Sequence, residues 1–302
     1  MPDPPVTLKA RFIFNPASGS NRRNPYLRDR AREFIAANNW DATVADTERP
    51  RHATDLARQA VDEGCQLVVA IGGDGTMNEV ATGLIDTPTA LGLVPCGSGN
   101  GLGRHLGIPG PGRGAFRTLL HGRPLAIDTG LVNQDPFFCA AGIGFEAVIA
   151  SRFSRLTHRG FTGYLRTGLS AWWSHRPETY RIHHDGVTET VDAFTMAFAN
   201  SAQYGNNAYI APGASVQDGQ IDLTAIPRVN SFNAVPLLWR LFHGSLDRVS
   251  TVTRLRGRSF VVERAKPGWV HTDGEPRAEA SRLEVRVRPR SLHVMVPEGR
   301  AI

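Results

Sequence analysis

Apolar positions in this chain change period repeatedly, and the changes lay out its elements. Residues 6 to 14, VTLKARFIF, alternate at first and then run continuously apolar until Asn15-Pro16 stops them, which predicts a strand. Residues 26 to 38 put Leu27, Ala31, Phe34 and Ile35 on one helical face. A strand over 41–45 and a helix over 52–63 follow. QLVVAIGGDG then reads as a buried strand running straight into glycines, with a helix over 76–84 behind it, and LGLVPCGSGNGLGRHL repeats that plan. Strands alternating with helices, each strand ending in a loop of small and polar residues, predict a parallel α/β sheet with a site at its carboxyl edge.

Beyond Leu125 the pattern changes. IDTGLVN, PFFCAAGIGF, TYRIHHDG, TETVDAFTMAFAN, QIDLTAIP, SFVVER, WVHTDGEP and LEVRVRP are short, rich in β-branched and aromatic residues, and bounded by Gly, Pro, Asn or Asp. They predict a mainly antiparallel β domain, interrupted by helical insertions over 145–173 and 234–242. SLHVMVP at the end reads as a strand able to return to the first half. The expected organisation is therefore an α/β domain over 1–125, with 290–302 returning to it, and a β-rich domain over 126–289. Without a low-complexity linker, the two are expected to touch and leave a cleft.

The chain has 302 residues, 41% of them hydrophobic and 21% charged, which excludes disordered and fibrous architectures. Its longest apolar runs fall far short of the roughly 18 residues that cross a bilayer, and Met1-Pro2-Asp3-Pro4-Pro5 lacks the basic and apolar regions of a secretory signal. Cys65, Cys96 and Cys139 are odd in number and match no zinc or redox spacing, which suits buried thiols in a reducing cytosol. The formal net charge is +6, almost all of it from arginine, because Lys9 and Lys266 are the only lysines. Neither lysine precedes Ser or Thr in a glycine loop, so a Walker A nucleotide site is excluded, as is the protein-kinase signature. Scattered arginines with no basic run argue against nucleic acid as a partner.

Gly72-Gly73-Asp74-Gly75-Thr76 is the strongest local signal. Glycines let the backbone approach a phosphate, and the following helix offers unpaired N–H groups. A carboxylate is out of place there unless it holds a cation, takes a proton or caps the helix, so Asp74 points either to Mg²⁺-assisted phosphoryl transfer or to a cap. Asn15-Pro16-Ala17-Ser18-Gly19 and Gly97-Ser98-Gly99-Asn100 follow the first and fourth strands, and in a parallel sheet all three loops emerge on one edge. Gly142-Ile143-Gly144-Phe145-Glu146-Ala147 matches a dinucleotide pattern, but no acidic residue lies between Glu146 and Glu178 to hold a ribose, which argues against an oxidoreductase.

NPASG, GGDGTMNEV and PCGSGNGLGRHL, in this order and spacing, resemble the diacylglycerol kinase catalytic-domain family, which includes bacterial lipid kinases, sphingosine kinases and ceramide kinases. AGIGFEA, YGNNAYIAPGASVQDGQIDL and TDGEP extend the resemblance across nearly the whole chain, although GGDG alone is shared with NAD kinases and phosphofructokinases. Three positions depart from the family pattern: Ser20 stands where a basic residue often does, with Arg22 and Arg23 close behind. Glu146 replaces an Asp, and Asn206-Asn207 interrupt a glycine-rich tract.

The resemblance implies an NAD-kinase- or phosphofructokinase-like α/β domain with a β-sandwich, and an ATP-dependent lipid kinase acting on diacylglycerol or a sphingoid base. It implies nucleotide binding by Asn15, Pro16, Ala17, Ser18, Gly19, Thr47, Gly72, Gly73, Asp74, Gly75, Thr76, Met77, Asn78 and Ser98. It also implies a structural Mg²⁺ held by Asp218 with the carbonyls of Ser215 and Gln220, against the alternative of a plain Asp-Gly turn before QIDL. Asp273 and Glu275 flank Gly274, and an extended segment would point both to one face, where mutual repulsion would raise one pKa; the alternative is a surface hairpin, since Asp-Gly before Glu-Pro is also ordinary turn chemistry. By the same resemblance Glu275 is the expected proton acceptor, Asp273 the organiser of metal and water, and Asp74 the rival base. Phe137, Phe138, Phe145, Tyr164, Leu165, Leu169 and Trp172 are candidates for an apolar acceptor slot, or simply for core. A cytoplasmic protein peripheral to the inner membrane face is expected, with a homodimer left open. A soluble small-molecule kinase of the NAD-kinase type is the alternative.

Overall fold

Strands buried along their whole length, as 67–72 and 90–95 are, need cover on both faces, and helices supply it. The protein, seen in a computed structural model, is described over residues 8–22, 26–154, 175–230 and 232–299, and it divides into two units, 1–127 with 290–302 and 128–289. In unit 1 the elements follow as β1 (Lys9–Phe14), α1 (Tyr26–Ala37), β2 (Asp41–Asp46), α2 (His52–Asp62), β3 (Leu67–Gly72), α3 (Asp74–Leu84), β4 (Ala90–Pro95), α4 (Gly101–His105) and α5 (Arg113–His121). Strand order is β2-β1-β3-β4, all parallel, with Phe12 opposite Val69 and Ile71 opposite Val94. Every residue of β3 and β4 is buried. Phe12, Phe14, Leu27, Ile71 and Leu119 form the core against the helices. The order 2-1-3-4 brings the carboxyl ends of β1, β2, β3 and β4 to one edge.

Two local expectations change here. Helix α3 begins at Asp74 rather than at 76, so the aspartate belongs to its first turn. Helix α5 was not expected: the preceding Pro109-Gly110-Pro111-Gly112 reads as loop, yet Ala115, Phe116 and Leu119 bury one face of the nine residues after it.

Unit 2 contains the second half of β5 (Arg123–Val132), then β6 (Asp135–Phe137), β7 (Ala140–Gly144), α6 (Phe145–Ser154), β8 (Glu178–His184), β9 (Val187–Ala193), β10 (Thr195–Ala199), β11 (Ile221–Ile226), α7 (Ala234–Phe242), β12 (Thr253–Gly257), β13 (Ser259–Arg264), β14 (Gly268–Thr272), β15 (Glu275–Glu279) and the start of β16 (Arg282–Val296). One sheet runs β12-β11-β10-β7-β14-β15 and the other joins β16, β13, β8 and β9, every neighbour antiparallel. Side chains of both sheets share a core that includes Tyr180, Ile182, Phe198, Leu223, Phe260, Val262, Val270 and Leu283, the arrangement of a β-sandwich. Arg264 lies buried in this unit, and burial pulls its pKa down. Its guanidinium donates to the carbonyls of Gly268, Trp269, Glu279 and Ala280, so one cation holds the β14–β15 hairpin to the end of β13.

The closing apolar segment is not a separate strand. β16 runs unbroken for 15 residues, pairs with β13 near its start, and sets His293 and Val294 parallel to Ala90 and Leu91 of β4 near its end.

Candidate functional site

In unit 1 the strand-end loops are tied together by their own side chains. Asn15, the first residue after β1, donates from Nδ2 to Oγ1 of Thr76 at 2.8 Å, and its Oδ1 accepts the Ala17 N–H at 2.9 Å. This turn folds the Asn-Pro-Ala-Ser segment back over the strand end. Ser18 Oγ then accepts the Gly73 N–H at 2.6 Å. Asn21, only 3% exposed, donates to the carbonyls of Asn15 at 3.0 Å and Ile71 at 3.3 Å. Thr47, just past β2, joins the edge by donating its N–H to the Phe14 carbonyl at 2.9 Å. Gly97 and Gly73 face each other so closely that a Cβ on Gly97 would stand 2.8 Å from Gly73 Cα, so here glycine permits one loop to approach another.

Asp74 completes the assembly. Its Oδ2 accepts the Asn100 N–H at 2.9 Å and its Oδ1 the Gly101 N–H at 2.8 Å, so both oxygens sit on the first backbone donors of α4. Asn100 is left-handed (φ 51°), and its side chain accepts from the Gly97 N–H and donates to the Gly97 carbonyl. The carboxylate that is out of place among phosphate-binding glycines is thus met by charge-assisted N–H bonds. A helix-capping role does hold for Asp74, but the helix it caps is the neighbouring α4.

The residues implied for the nucleotide gather at this edge: Asn15, Ser18, Thr47, Gly72, Gly73, Asp74 and Thr76 by direct packing, with Pro16, Ala17, Gly75 and Ser98 exposed around them. Gly19 opens a short 3₁₀ turn, Gly19–Arg22. Met77 is buried, and Asn78 keeps a buried Oδ1 with no hydrogen-bond partner among the described residues. An unpaired buried acceptor costs about 1–3 kcal/mol and is the kind of group a ligand donor satisfies. Asn21 was overlooked as a site residue because it stands past the Asn15–Gly19 motif, and Asn100, the last residue of the Gly97–Asn100 motif, was not singled out for the role its folded loop gives it.

In unit 2 the TDGEP segment is a hairpin. Thr272 of β14 pairs with Glu275 of β15, and the two residues between them, Asp273 (φ 48°) and Gly274 (φ 86°), both have positive φ. That is the tight turn Asp-Gly favours, and it overturns the extended segment with both carboxylates on one face. The Asp273 carboxylate instead points back, with Oδ2 accepting the Phe138 N–H at 2.7 Å and Oδ1 accepting those of Cys139 at 2.8 Å and Ala140 at 3.0 Å. Burial pushes its carboxyl up to about 6, opposed by those three N–H groups. Repulsion from Glu275 is not among the causes. Glu275 itself is exposed and has no ion pair or side-chain hydrogen bond among the described residues.

Beside this turn lies a polar cluster. His271, 4% exposed, accepts the Gly274 N–H on Nδ1 at 3.2 Å and places Nε2 3.7 Å from Glu146 Oε1, while Glu146 Oε2 accepts the Tyr204 hydroxyl. Phe137 and Phe138 are fully buried core rather than the walls of a slot, and Phe145 packs on Phe194 with centroids 4.6 Å apart. Tyr164, Leu165, Leu169, Trp172 and Arg23 lie outside the described residues.

Ser215, Asp218 and Gln220 share one turn before β11. Asp218 Oδ1 accepts the Gln220 N–H at 3.0 Å, Gly219 has φ 68° and donates to Asp128 at 2.7 Å, and Asp218 Oδ2 lies 3.8 Å from Arg256. An Asp-Gly turn is therefore present. One carboxylate with two carbonyls is an all-oxygen donor set, which suits Mg²⁺, and the Arg256 guanidinium would compete with the ion for Asp218.

The diacylglycerol kinase catalytic domain model matches residues 9–132, and the YegS C-terminal NAD kinase β-sandwich-like domain model matches residues 139–296. The chain belongs to this lipid-kinase family. A protein of Chromohalobacter salexigens named "Probable lipid kinase YegS-like" is 30% identical over 82% of this chain and 81% of its own. The diacylglycerol kinase of Bacillus subtilis is 28% identical over 97% of this chain and 98% of its own. The crystal structure of a diacylglycerol kinase from Bacillus anthracis superposes with a TM-score of 0.72 at 18% identity, covering 96% and 97% of the two chains, which shows the shared fold.

Proposed function

We propose that this chain transfers the γ-phosphoryl group of ATP to the hydroxyl of a membrane lipid, diacylglycerol or a sphingoid base, at the cytoplasmic membrane face. The observation that supports the reading most is the strand-end edge of unit 1, where the Asn15, Gly73 and Gly97 loops are knit together by Asp74, Ser18 and Asn100 inside the segment that matches the diacylglycerol kinase model. The first turn of α3, which opens at Asp74, offers N–H donors to phosphate oxygens, and the unpaired Asn78 Oδ1 offers an acceptor to the nucleoside. The names of the relatives support the acceptor class.

Of the three carboxylates singled out in the sequence, Asp74 and Asp273 already hold two and three backbone N–H groups, and Glu275 alone is uncommitted. Glu275 is accordingly the proton acceptor. As the lipid oxygen bonds to the γ-phosphorus, the bond to the β-bridging oxygen breaks with its electron pair leaving on ADP, and the hydroxyl proton passes to Glu275. Bound Mg²⁺ supplies charge neutralisation of the phosphate oxygens. A separate structural Mg²⁺ would be held by Ser215, Asp218 and Gln220. Incubation with labelled ATP, Mg²⁺ and a total lipid extract, followed by mass spectrometry of the labelled product, tests the reading. A phosphorylated lipid is expected. Label appearing only in a water-soluble product would overturn it in favour of the NAD-kinase-like reading.

A further inference from the structure

Five of the eight large apolar side chains that stand exposed among the described residues fall within eleven positions: Phe232, Val235, Leu238, Trp239 and Phe242. The concentration is not a frayed end. Asn230 and Asn233 bond reciprocally: Asn233 Oδ1 accepts the Asn230 N–H, and Asn230 Oδ1 accepts the N–H groups of Phe232 and Asn233. This holds Phe232 in place at 92% exposure. The four others lie at i, i+3, i+4 and i+7 of α7 and make one continuous stripe. The opposite side carries Leu237 and Leu241, which pack against the cluster of Ala140, Ala199, Ile210 and Leu246, and the Leu241 carbonyl accepts the Tyr209 N–H at 2.8 Å. α7 is thus anchored by one apolar face and presents a second to solvent, an arrangement that buried packing cannot explain.

The surrounding charge says what covers it. From residue 223 to 262 the chain carries six arginines, at 228, 240, 248, 254, 256 and 258, and a single carboxylate, Asp247; Arg256 is balanced by Asp222 at 3.0 Å, and the segment stays basic with the other five. Arg228 and Arg248, on either side of α7 in sequence, are exposed. Trp239 adds an indole stacked on His243, with centroids 4.2 Å apart, an aromatic pair suited to the headgroup level of a bilayer. An aromatic and aliphatic stripe in a basic segment is the chemistry of a helix that lies in the plane of an anionic lipid surface.

We infer that α7, with Phe232, is the element by which this protein docks on anionic membranes. The inference rests on the lipid-kinase reading for its purpose, but not for its chemistry. Because α7 is already folded and anchored, docking costs no helix formation, and the exposed stripe enters the interface as it stands.

The test uses the full chain and a Leu238→Glu/Trp239→Glu double variant, with vesicles of mixed phosphatidylcholine and phosphatidylglycerol, and a short-chain diacylglycerol presented below its aggregation limit. The variant is expected to sediment with vesicles at least about tenfold more weakly, to phosphorylate vesicle-embedded diacylglycerol correspondingly less, and to phosphorylate the dispersed lipid as the unaltered protein does. A second variant, Arg228→Gln/Arg248→Gln, should lose preference for phosphatidylglycerol while keeping residual binding to neutral vesicles. Unaltered sedimentation of the first variant overturns the inference, as does loss of a dimer in ultracentrifugation with vesicle binding unchanged, which would make the stripe a self-association surface. Should the unaltered protein phosphorylate no lipid yet sediment through α7, the docking surface stands and the kinase reading falls.

Discussion

Asp74 and Asp273 show how far a residue type alone can mislead about its role. Each sits in a glycine motif that suggests chemistry, and each spends its oxygens on backbone N–H groups of another segment. Their replacement should therefore read out as stability. Asp74→Asn leaves one oxygen to accept and sets an amide NH₂ against the other donor, which costs about 1–3 kcal/mol and should lower the melting temperature together with activity. Glu275→Gln, at an exposed and unpaired position, should leave the melting temperature and the ATP affinity in place while turnover falls by at least about a hundredfold. Thermal melts beside steady-state kinetics on both variants check the contrast. If Asp74→Asn melts like the unaltered protein and still loses turnover, the proton acceptor is Asp74. Asp273 also carries a pH signature. Its carboxyl, ordinarily near 3.8, is lifted to about 6 in the folded chain, chiefly by burial. Its contribution to stability is therefore fully present below 3.8 and is lost as pH rises through 6. The melting-temperature difference between the unaltered protein and Asp273→Asn should be largest near the lower of these values and shrink across the window.

At the scale of elements, what was legible in the sequence was whatever period and glycine punctuation could carry. The β1, β3 and β4 runs and the loops after them are readable because a doubly covered strand must be continuously apolar and a phosphate-type loop must be small. Helix α5 escaped because Pro-Gly-Pro-Gly hides its start, and at 268–279 the structure takes the Asp-Gly hairpin, the alternative to an extended segment, because Asp273 and Gly274 both adopt positive φ. Asn21 escaped for a different reason: its side chain ties the loop after β1 to the Ile71 carbonyl of β3, which no local pattern encodes. The contact between the Gly73 and Gly97 loops belongs here too. A methyl on Gly97 would meet backbone, not the end of a movable side chain, at 2.8 Å. Gly97→Ala should therefore push the β4 loop off the β3 loop, strain the Asp74 bonds to α4, and weaken ATP binding by about tenfold or more, a few kcal/mol of overpacking. Isothermal titration with a non-hydrolysable ATP analogue measures it. Affinity within twofold of the unaltered protein would show that the loops have room to part.

Across the whole molecule, one strand ties the chain's end to its first unit. β16 leaves the sandwich of residues 128–289 at Pro289 and continues as 290–296 in unit 1, where it runs parallel beside β4. Sequence showed an apolar terminal segment; its continuity with the preceding strand was hidden by Pro289 and by Arg290, which takes a positive φ of 51° without breaking the strand. Leu292, Val294 and Val296 are completely buried there, and Ser291 accepts the Asp86 N–H through its carbonyl at 2.8 Å. Burying one such aliphatic side chain is worth about 1.5–3 kcal/mol, so three of them match a substantial share of the roughly 5–15 kcal/mol that holds an ordinary domain together. A chain ending at Arg290 should therefore lose the order of unit 1 first, because β4 becomes an edge strand whose apolar face is uncovered, while the sandwich keeps the β13–β16 pairing of residues 259–263 with 282–286. Limited proteolysis resolved by mass spectrometry distinguishes the outcomes: rapid cleavage within residues 8–122 and protection of 178–289 is expected. Equal protection of both units in the shortened chain would show that the terminal six strand residues cover β4 without supporting it.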